Sequence, residues 1–123
     1  MTYKSVRANP VTPMHEVRDE AKLQSIIASM ESTGWTGRPV LVFDDAEGQY
    51  KAITGSHRIA AAKAVGIEIP VAIISDDDCA IVIDELDYAS DDYDREKVLR
   101  DAGLIEAADI MAAEIEANEA EWV

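Results

Sequence analysis

Cysteine, histidine and aromatic residues are scarce in this sequence. Cys79 is the single cysteine among 123 residues, which excludes an internal disulfide, and two histidines leave a classical zinc site without its usual ligands. No apolar run approaches the roughly 20 residues that a bilayer-spanning helix needs, and residues 1–16 lack the apolar segment of a secretory signal. We therefore expect a cytoplasmic protein. The length is enough for one domain with a core and too short for two ordinary ones.

Basic residues are scarce in the C-terminal part of the chain. Residues 1–75 carry eight Lys and Arg against eight Asp and Glu, whereas residues 76–123 carry three against seventeen, so the second segment supplies the whole net charge of −14. Such a segment repels the phosphates of duplex DNA, and we do not expect it to bind DNA. An acidic surface of this kind suits a basic protein partner, and a well-solvated helical face is the plainer alternative.

The apolar pattern before residue 75 alternates between strand and helix. Leu23, Ile26, Ile27 and Met30 follow an i, i+3, i+4, i+7 spacing, which predicts a helix over residues 19–32. An alanine-rich stretch that ends at Gly66 predicts a second helix, over residues 56–65. Strands are predicted at 3–8, 39–43, 49–54 and 69–74, with a hairpin loop at 44–48. The predicted fold class is therefore α/β.

Residues 76–123 have the pattern of helices. Ser75 and Asp78 have the spacing of a helix capping box, although the β-branched run that follows also suits a strand. Two amphipathic helices are predicted over residues 91–121, separated at Gly103, and their apolar positions are Leu99, Leu104, Met111 and Ile115. These helices must pack on the α/β body or on a second subunit, which would make a homo-oligomer. We expect residues 1–75 to form one domain and residues 76–123 an acidic helical extension.

The segment Gly55-Ser56-His57-Arg58 lies where a predicted strand meets a predicted helix. The first turn of a helix has backbone N–H groups without internal partners and a partial positive charge, so it attracts anions. Gly55 permits a sharp turn and close approach of a ligand. Ser56 and His57 can donate hydrogen bonds, and Arg58 can bind two phosphate oxygens. The alternative is that Ser56 only caps the helix, His57 is solvated and Arg58 pairs with a nearby carboxylate.

The order and spacing of these elements over residues 3–74 resemble the ParB/sulfiredoxin-like superfamily. The matching segments are NPVTPMHEV, EAKLQSIIASMESTGW, RPVLVFDDAEGQYKAITG, GSHRIAAAKAVG and IPVAII. The resemblance implies a small mixed sheet with packed helices, followed here by the acidic C-terminal helices. It also implies that Gly55, His57 and Arg58 bind nucleotide phosphates, and Ser56 joins them as a candidate through its hydroxyl. Partition proteins have Gly-Glu-Arg-Arg at this place and bind CTP, and sulfiredoxins have Gly-Cys-His-Arg and use ATP, so the implied cofactor is a nucleotide of the ATP or CTP type with Mg²⁺.

Two departures and one further match refine what the resemblance implies. Ser56 stands where sulfiredoxins have their nucleophilic cysteine, so we do not expect reduction of an oxidised cysteine. Thr54 stands where the free-serine kinases have an aspartate before the glycine. The segment PMHEV resembles the kinase segment that supplies a catalytic glutamate, which nominates Glu16, with His15 beside it. A carboxylate there could activate a water or hydroxyl, or hold Mg²⁺.

Three functions are open at the level of sequence. The first is a nucleotide-binding enzyme that hydrolyses or transfers phosphate with Glu16 and the Gly55–Arg58 segment. The second is a ParB-like nuclease, which needs metal-binding carboxylates beside the anion site and a basic path for DNA. The third is a non-catalytic module whose acidic helices bind a basic partner or mimic DNA. Small orphan ParB-like domains occur in phages and mobile elements, and the resemblance implies such a source.

Overall fold

The computed structural model alternates strands and helices along the chain. It describes residues 1–13, 17, 19–35, 37–44, 49–53 and 55–121, with the backbone alone for Ser56 and residues 118–121. The elements are β1 (Thr2–Arg7), β2 (Val11–Pro13), α1 (Glu20–Thr33), β3 (Val40–Asp44), β4 (Tyr50–Ala52), α2 (Ser56–Val65), β5 (Glu68–Ile74), α3 (Asp76–Tyr88), α4 (Asp92–Asp101) and α5 (Ile105–Glu121). The predicted α/β class is confirmed, and the predicted elements agree with these bounds to within two residues.

The five strands form one mixed sheet in the order β1-β5-β3-β4-β2. β5 pairs antiparallel with β1 and parallel with β3, and β4 pairs antiparallel with β3 and parallel with β2. The strand β2 is absent from the sequence-based prediction, in which the prolines around Val11 indicate a turn. It lies at the edge of the sheet, where Pro13, which has no N–H to donate, is tolerated.

Helices cover the sheet on both faces. Along β3, Val40 and Val42 belong to one core and Leu41 and Phe43 to the other, as the alternation of side chains along a strand requires. We call α1 and α2 the first helical layer; its buried residues include Met30, Ile59, Ala61 and Ala62. We call α3, α4 and α5 the second helical layer; its buried residues include Val82, Leu86, Leu99, Met111 and Ile115.

The C-terminal helices pack on the sheet of the same chain. Leu99 and Met111 are fully buried and Ile115 is 8% exposed, which confirms the predicted burial of the apolar sides of α4 and α5. Because β3 and β5 give residues to both cores, the two helical layers share one sheet. A division into domains at residue 75 stays a prediction. Within the described ranges, no helix has the length and apolar composition to cross a membrane.

The segment after Ser75 is helical and not extended. The backbone N–H of Asp78 donates to the Ser75 hydroxyl over 3.2 Å, which is the capping contact that the sequence predicts. Val82 and Leu86, four residues apart, are buried, whereas Ile81 is 63% exposed. The buried positions thus follow the period of a helix, and the cap fixes where that helix begins.

Candidate functional site

The start of α2 lies against the beginning of β3. Gly55 is the N-cap residue and has a left-handed backbone, with φ of 86°. A Cβ added at Gly55 would lie 3.9 Å from Cγ2 of Val40, an ordinary contact, so the glycine is required by its backbone conformation and not by lack of space. The N–H of Ile59 donates to the Gly55 carbonyl over 2.9 Å and closes the first turn.

The start of α2 differs from the starts of three other helices. Asp19, Ser75 and Asp91 are the N-cap residues of α1, α3 and α4, and each accepts a hydrogen bond through its side chain from a backbone N–H three residues on, over 3.0, 3.2 and 2.9 Å respectively. Gly55 has no side chain with which to cap α2, and the first turn of α2 contains no acidic residue. Partial positive charge is therefore retained at the start of α2, which favours an anion there.

His57 links the starts of the first two helices. Its Nε2 atom accepts a hydrogen bond from the backbone N–H of Asp19 over 3.3 Å. An imidazole nitrogen that accepts carries no proton, so in this contact the proton of a neutral ring lies on Nδ1. Glu16 and His15 lie outside the described residues, and the catalytic role of Glu16 stays a prediction. Asp19, which His57 contacts, is three residues beyond Glu16 in the sequence.

Arg58 is held by the segment between α1 and β3 and by α5. Its Nη2 donates to the carbonyl of Arg38 over 2.7 Å, and its Nη1 donates to Glu114 over 3.1 Å. Its guanidinium lies 4.0 Å from the centroid of the Trp35 ring, a cation–π contact. The indole Nε1 of Trp35 also donates to the Arg38 carbonyl, over 3.2 Å. The Arg58 side chain is therefore fixed on three sides, and its pairing with a carboxylate is the alternative role that the sequence allowed.

Glu114 is a buried acid that sequence reasoning missed. The residue is 4% exposed, and its Oε2 atom accepts hydrogen bonds from Arg58 and from the Nε of Arg38. Two guanidiniums compensate the desolvation of this carboxylate and leave the cluster with a net positive charge. A signal for its burial exists in the sequence, because Glu114 lies beside Met111 and Ile115 on the apolar side of α5.

The predicted site residues are brought together in part. Gly55 caps the first turn of α2, and His57 and Arg58 belong to that turn, whereas the side chain of Ser56 lies outside the described atoms. Their binding of phosphate stays a prediction. Among the described residues there is no group of three or more His, Cys, Asp and Glu side chains placed to hold a metal ion.

Cys79 lies in the second helical layer, away from the start of α2. It is half-buried and packs against the core beneath α3. Burial raises the pKa of the Cys79 thiol, and the negative charge of Asp76 raises it further. The thiol is therefore protonated at neutral pH, which makes it a poor nucleophile.

An acidic groove lies between α3 and α4. Its volume is about 420 Å³, and acidic residues in its lining include Asp84, Glu85, Asp94 and Asp101. Tyr88 also lines the groove and is 90% exposed. The pKa of Asp94 is lowered, chiefly by its hydrogen bonds with Ser90, so this carboxylate is charged at neutral pH. Lys97 lines the groove as well and pairs with Asp101 over 3.4 Å.

The chain matches a known protein family over more than half of its length. Residues 1–86 match the family model described as the ParB N-terminal domain. The matched segment extends from β1 into α3, so it includes the start of α2 but not Glu114. No curated protein matches the sequence.

Among the solved structures with a similar fold are three that differ in function. Sulfiredoxin from Arabidopsis thaliana is 19% identical, with a TM-score of 0.51, over 61% of this chain and 86% of that one. The C-terminally truncated chromosome-partitioning protein ParB from Caulobacter crescentus, complexed with CTP-γ-S, is 18% identical, with a TM-score of 0.52, over 80% of this chain and 63% of that one. A free serine kinase in complex with AMP is 26% identical, with a TM-score of 0.50, over 73% of this chain and 33% of that one. The chain thus spans a third of the kinase.

Proposed function

The chain belongs to the ParB N-terminal domain family, and we propose that it binds the phosphates of a nucleotide at the start of α2. The observation that carries the proposal is a helix start whose N-cap glycine offers no side-chain acceptor and whose first turn contains His57 and Arg58. Structures of the same fold support it, since one holds CTP-γ-S and another holds AMP. The proposed ligand is a nucleotide of the ATP or CTP type with Mg²⁺.

Each residue of the segment has a distinct proposed role. Gly55 lets the ligand approach the backbone, and the N–H groups of the first turn donate to phosphate oxygens. Arg58 supplies a charge-assisted contact that can engage two oxygens. His57 keeps Nε2 on the Asp19 N–H and presents Nδ1–H as a further donor.

The proposed chemistry is hydrolysis or transfer of a phosphoryl group, with Glu16 as the base. Phosphoryl transfer depends mainly on positioning the reactants and on stabilising negative charge. The start of α2 supplies the stabilisation of negative charge. A carboxylate near the ligand can orient and deprotonate the attacking water or hydroxyl. The contact between His57 and Asp19 supports this role, because it joins the start of α2 to the chain that follows Glu16.

The test is calorimetric titration of the protein with ATP, CTP and AMP, each with and without Mg²⁺. We expect one of these nucleotides to bind the wild type, and Arg58→Ala to weaken that binding several-fold or more because a charge-assisted contact is lost. Lys63→Ala is the matched control, since Lys63 is an exposed basic residue in the last turn of the same helix. Absence of binding by the folded wild type, or equal binding by Arg58→Ala, would contradict the proposal.

The acidic groove favours a second candidate function, the binding of a basic protein partner. Four carboxylates, one lysine and an exposed tyrosine line a concave surface, and its net negative charge would steer a basic segment towards it. Combined replacement of Asp84 and Asp101 by Asn should weaken such binding and leave nucleotide affinity unchanged. For the nuclease hypothesis, the described residues offer no comparable observation.

A further inference from the structure

The two helical layers meet at a cluster of three charged residues, of which one is buried and two are partly buried. Arg38 precedes β3, Arg58 belongs to the first layer and Glu114 to the second. The side chains of Arg38, Arg58 and Glu114 are 20, 11 and 5% exposed. We call Arg38 and Arg58 the arginine pair, and Glu114 is their shared carboxylate.

One oxygen of Glu114 accepts from both members of the arginine pair. The Nε of Arg38 and the Nη1 of Arg58 both donate to Oε2 of Glu114. A phosphate oxygen between two guanidiniums would accept in the same way. The carboxylate therefore satisfies the arginine pair as a phosphate would, although it carries less charge.

The position of Glu114 conflicts with direct binding of phosphate to Arg58. Nη1 of Arg58 is directed to Glu114, Nη2 to the Arg38 carbonyl, and one face of the guanidinium lies on Trp35. Glu114 is almost fully buried, so its carboxylate and a phosphate cannot both lie between the two guanidiniums. A second anion beside Glu114 would also be repelled by it. Phosphate binding at Nη1 of Arg58, between the two guanidiniums, therefore requires the Glu114 carboxylate to leave.

We propose that Glu114 is the internal occupant of the phosphate site, and that Arg38 is a second phosphate-binding residue. This inference rests on the proposed function of the start of α2. In the ligand-free protein, the Glu114 carboxylate compensates the positive charge of the arginine pair. When a nucleotide binds, its phosphates replace that carboxylate between the two arginines. α5 is thereby coupled to the ligand, because the ligand removes one of its polar contacts with the first layer.

The coupling has a direction that can be measured. If Glu114 competes with phosphate for the arginine pair, removing its charge strengthens phosphate binding, and we expect a change of the size typical of coupled equilibria, about 5- to 150-fold. Glu114→Gln keeps the size of the side chain and removes the charge. Glu116→Gln is the matched control, because Glu116 is exposed on the same helix and its replacement changes the net charge equally.

The experiment is calorimetric titration of wild type, Glu114→Gln and Glu116→Gln with ATP, CTP and inorganic pyrophosphate. We expect Glu114→Gln to bind about 5- to 150-fold more tightly than the wild type, and Glu116→Gln to match the wild type. Arg38→Ala should weaken binding several-fold, and Arg7→Ala, at an exposed residue of β1, should not. Salt dependence should fall in Arg38→Ala, since one ionic contact is lost.

The failures of the inference and of the proposed function are distinguishable. Equal affinity in wild type and Glu114→Gln overturns the inference and leaves the proposed function intact. Weaker binding by Glu114→Gln also overturns it, because Glu114 would then position Arg58 for the ligand. Absence of binding by both proteins overturns the proposed function and the inference together.

A second measurement on the wild type does not depend on whether the variant folds. Hydrogen exchange is followed with and without a saturating concentration of the nucleotide that binds. Loss of the Glu114 contact should speed amide exchange in α5 around residues 111–117 and leave α4 unchanged. Unchanged or slower exchange in that part of α5 contradicts the inference.

Discussion

The start of α2 in the first helical layer differs from the starts of α3 and α4 in the second. In the first layer, the N-cap residue of α2 offers no side-chain oxygen. In the second layer, α3 and α4 have side-chain caps and first turns rich in aspartate. Aspartates at a helix start neutralise its positive end, so α3 and α4 are stabilised and unattractive to anions. The first layer also contains α1, which Asp19 caps through its side chain, so the comparison teaches that α2 alone among the helices α1 to α4 begins without a side-chain cap.

The acidic charge of the second layer lies mainly on its outer side, with one described exception. Asp84 and Asp94 are exposed, as a solvated helical face requires, whereas Glu114 is 4% exposed and turned towards the first layer. The layers are thus not independent. The residue that breaks the pattern of the second layer is the one that contacts Arg58 of the first.

Replacement of Glu16 is the strongest test of the chemistry assigned to the first layer. If Glu16 is a general base, Glu16→Gln should lower phosphate release from ATP or CTP by about 10²–10⁴-fold and leave affinity nearly unchanged. Turnover and calorimetric affinity are measured on the same samples. Glu20→Gln, an exposed first-turn acid of α1, is the control and should retain activity. Full turnover in Glu16→Gln would remove the mechanism and leave the binding site.

A substitution that creates a cavity in the second layer tests whether that layer is part of the stable core. Met111 is fully buried among residues of α5, α3 and the sheet. Met111→Ala should lower the free energy of unfolding by about 2–5 kcal/mol, because it removes buried apolar contacts and leaves a cavity. Urea denaturation gives this value. Ile105→Ala on the same helix, at a residue 49% exposed, should cost far less; equal losses would show that α5 is not docked as described.

The comparison of the layers also shows which features sequence patterns can predict. The helix spacing of Leu23 to Met30 and the capping pair Ser75 and Asp78 are local, and each predicted its element correctly. The strand β2 has three residues and pairs with β4 about 40 residues later, so no local pattern marks it. The contact of Arg58 with Glu114 joins residues 56 apart in the sequence. Patterns within one element could not reveal that partner, since it depends on how the layers pack.

Substitutions at the two glycines that flank α2 distinguish an effect on backbone strain from an effect on ligand binding. Gly55 and Gly66 flank the helix with φ of 86° and 82°. Replacing either by Ala should cost about 1–2 kcal/mol of stability, because both positions are left-handed. If the proposed function is right, only Gly55→Ala should also weaken nucleotide binding, since Gly55 begins the helix start at which we propose that phosphate binds. Thermal unfolding and calorimetry on both variants measure the two effects, and equal affinities would show that the ligand does not approach Gly55.

Cys79 should give the smallest effect, because it lies in the second layer, to which we assign no catalytic residue. Burial raises the pKa of its thiol above the ordinary value of 9.0, so the folded protein holds less thiolate at neutral pH than an exposed cysteine does. Labelling by iodoacetamide should therefore be slow at pH 7, accelerate as the pH rises towards the raised pKa, and become fast at pH 7 once urea unfolds the chain. Cys79→Ser should leave nucleotide affinity and turnover within about a few-fold of wild type, because the side chain lies away from α2. Rapid labelling of the folded protein would contradict the burial, and complete loss of activity in a folded Cys79→Ser would show that the second layer takes part in the chemistry.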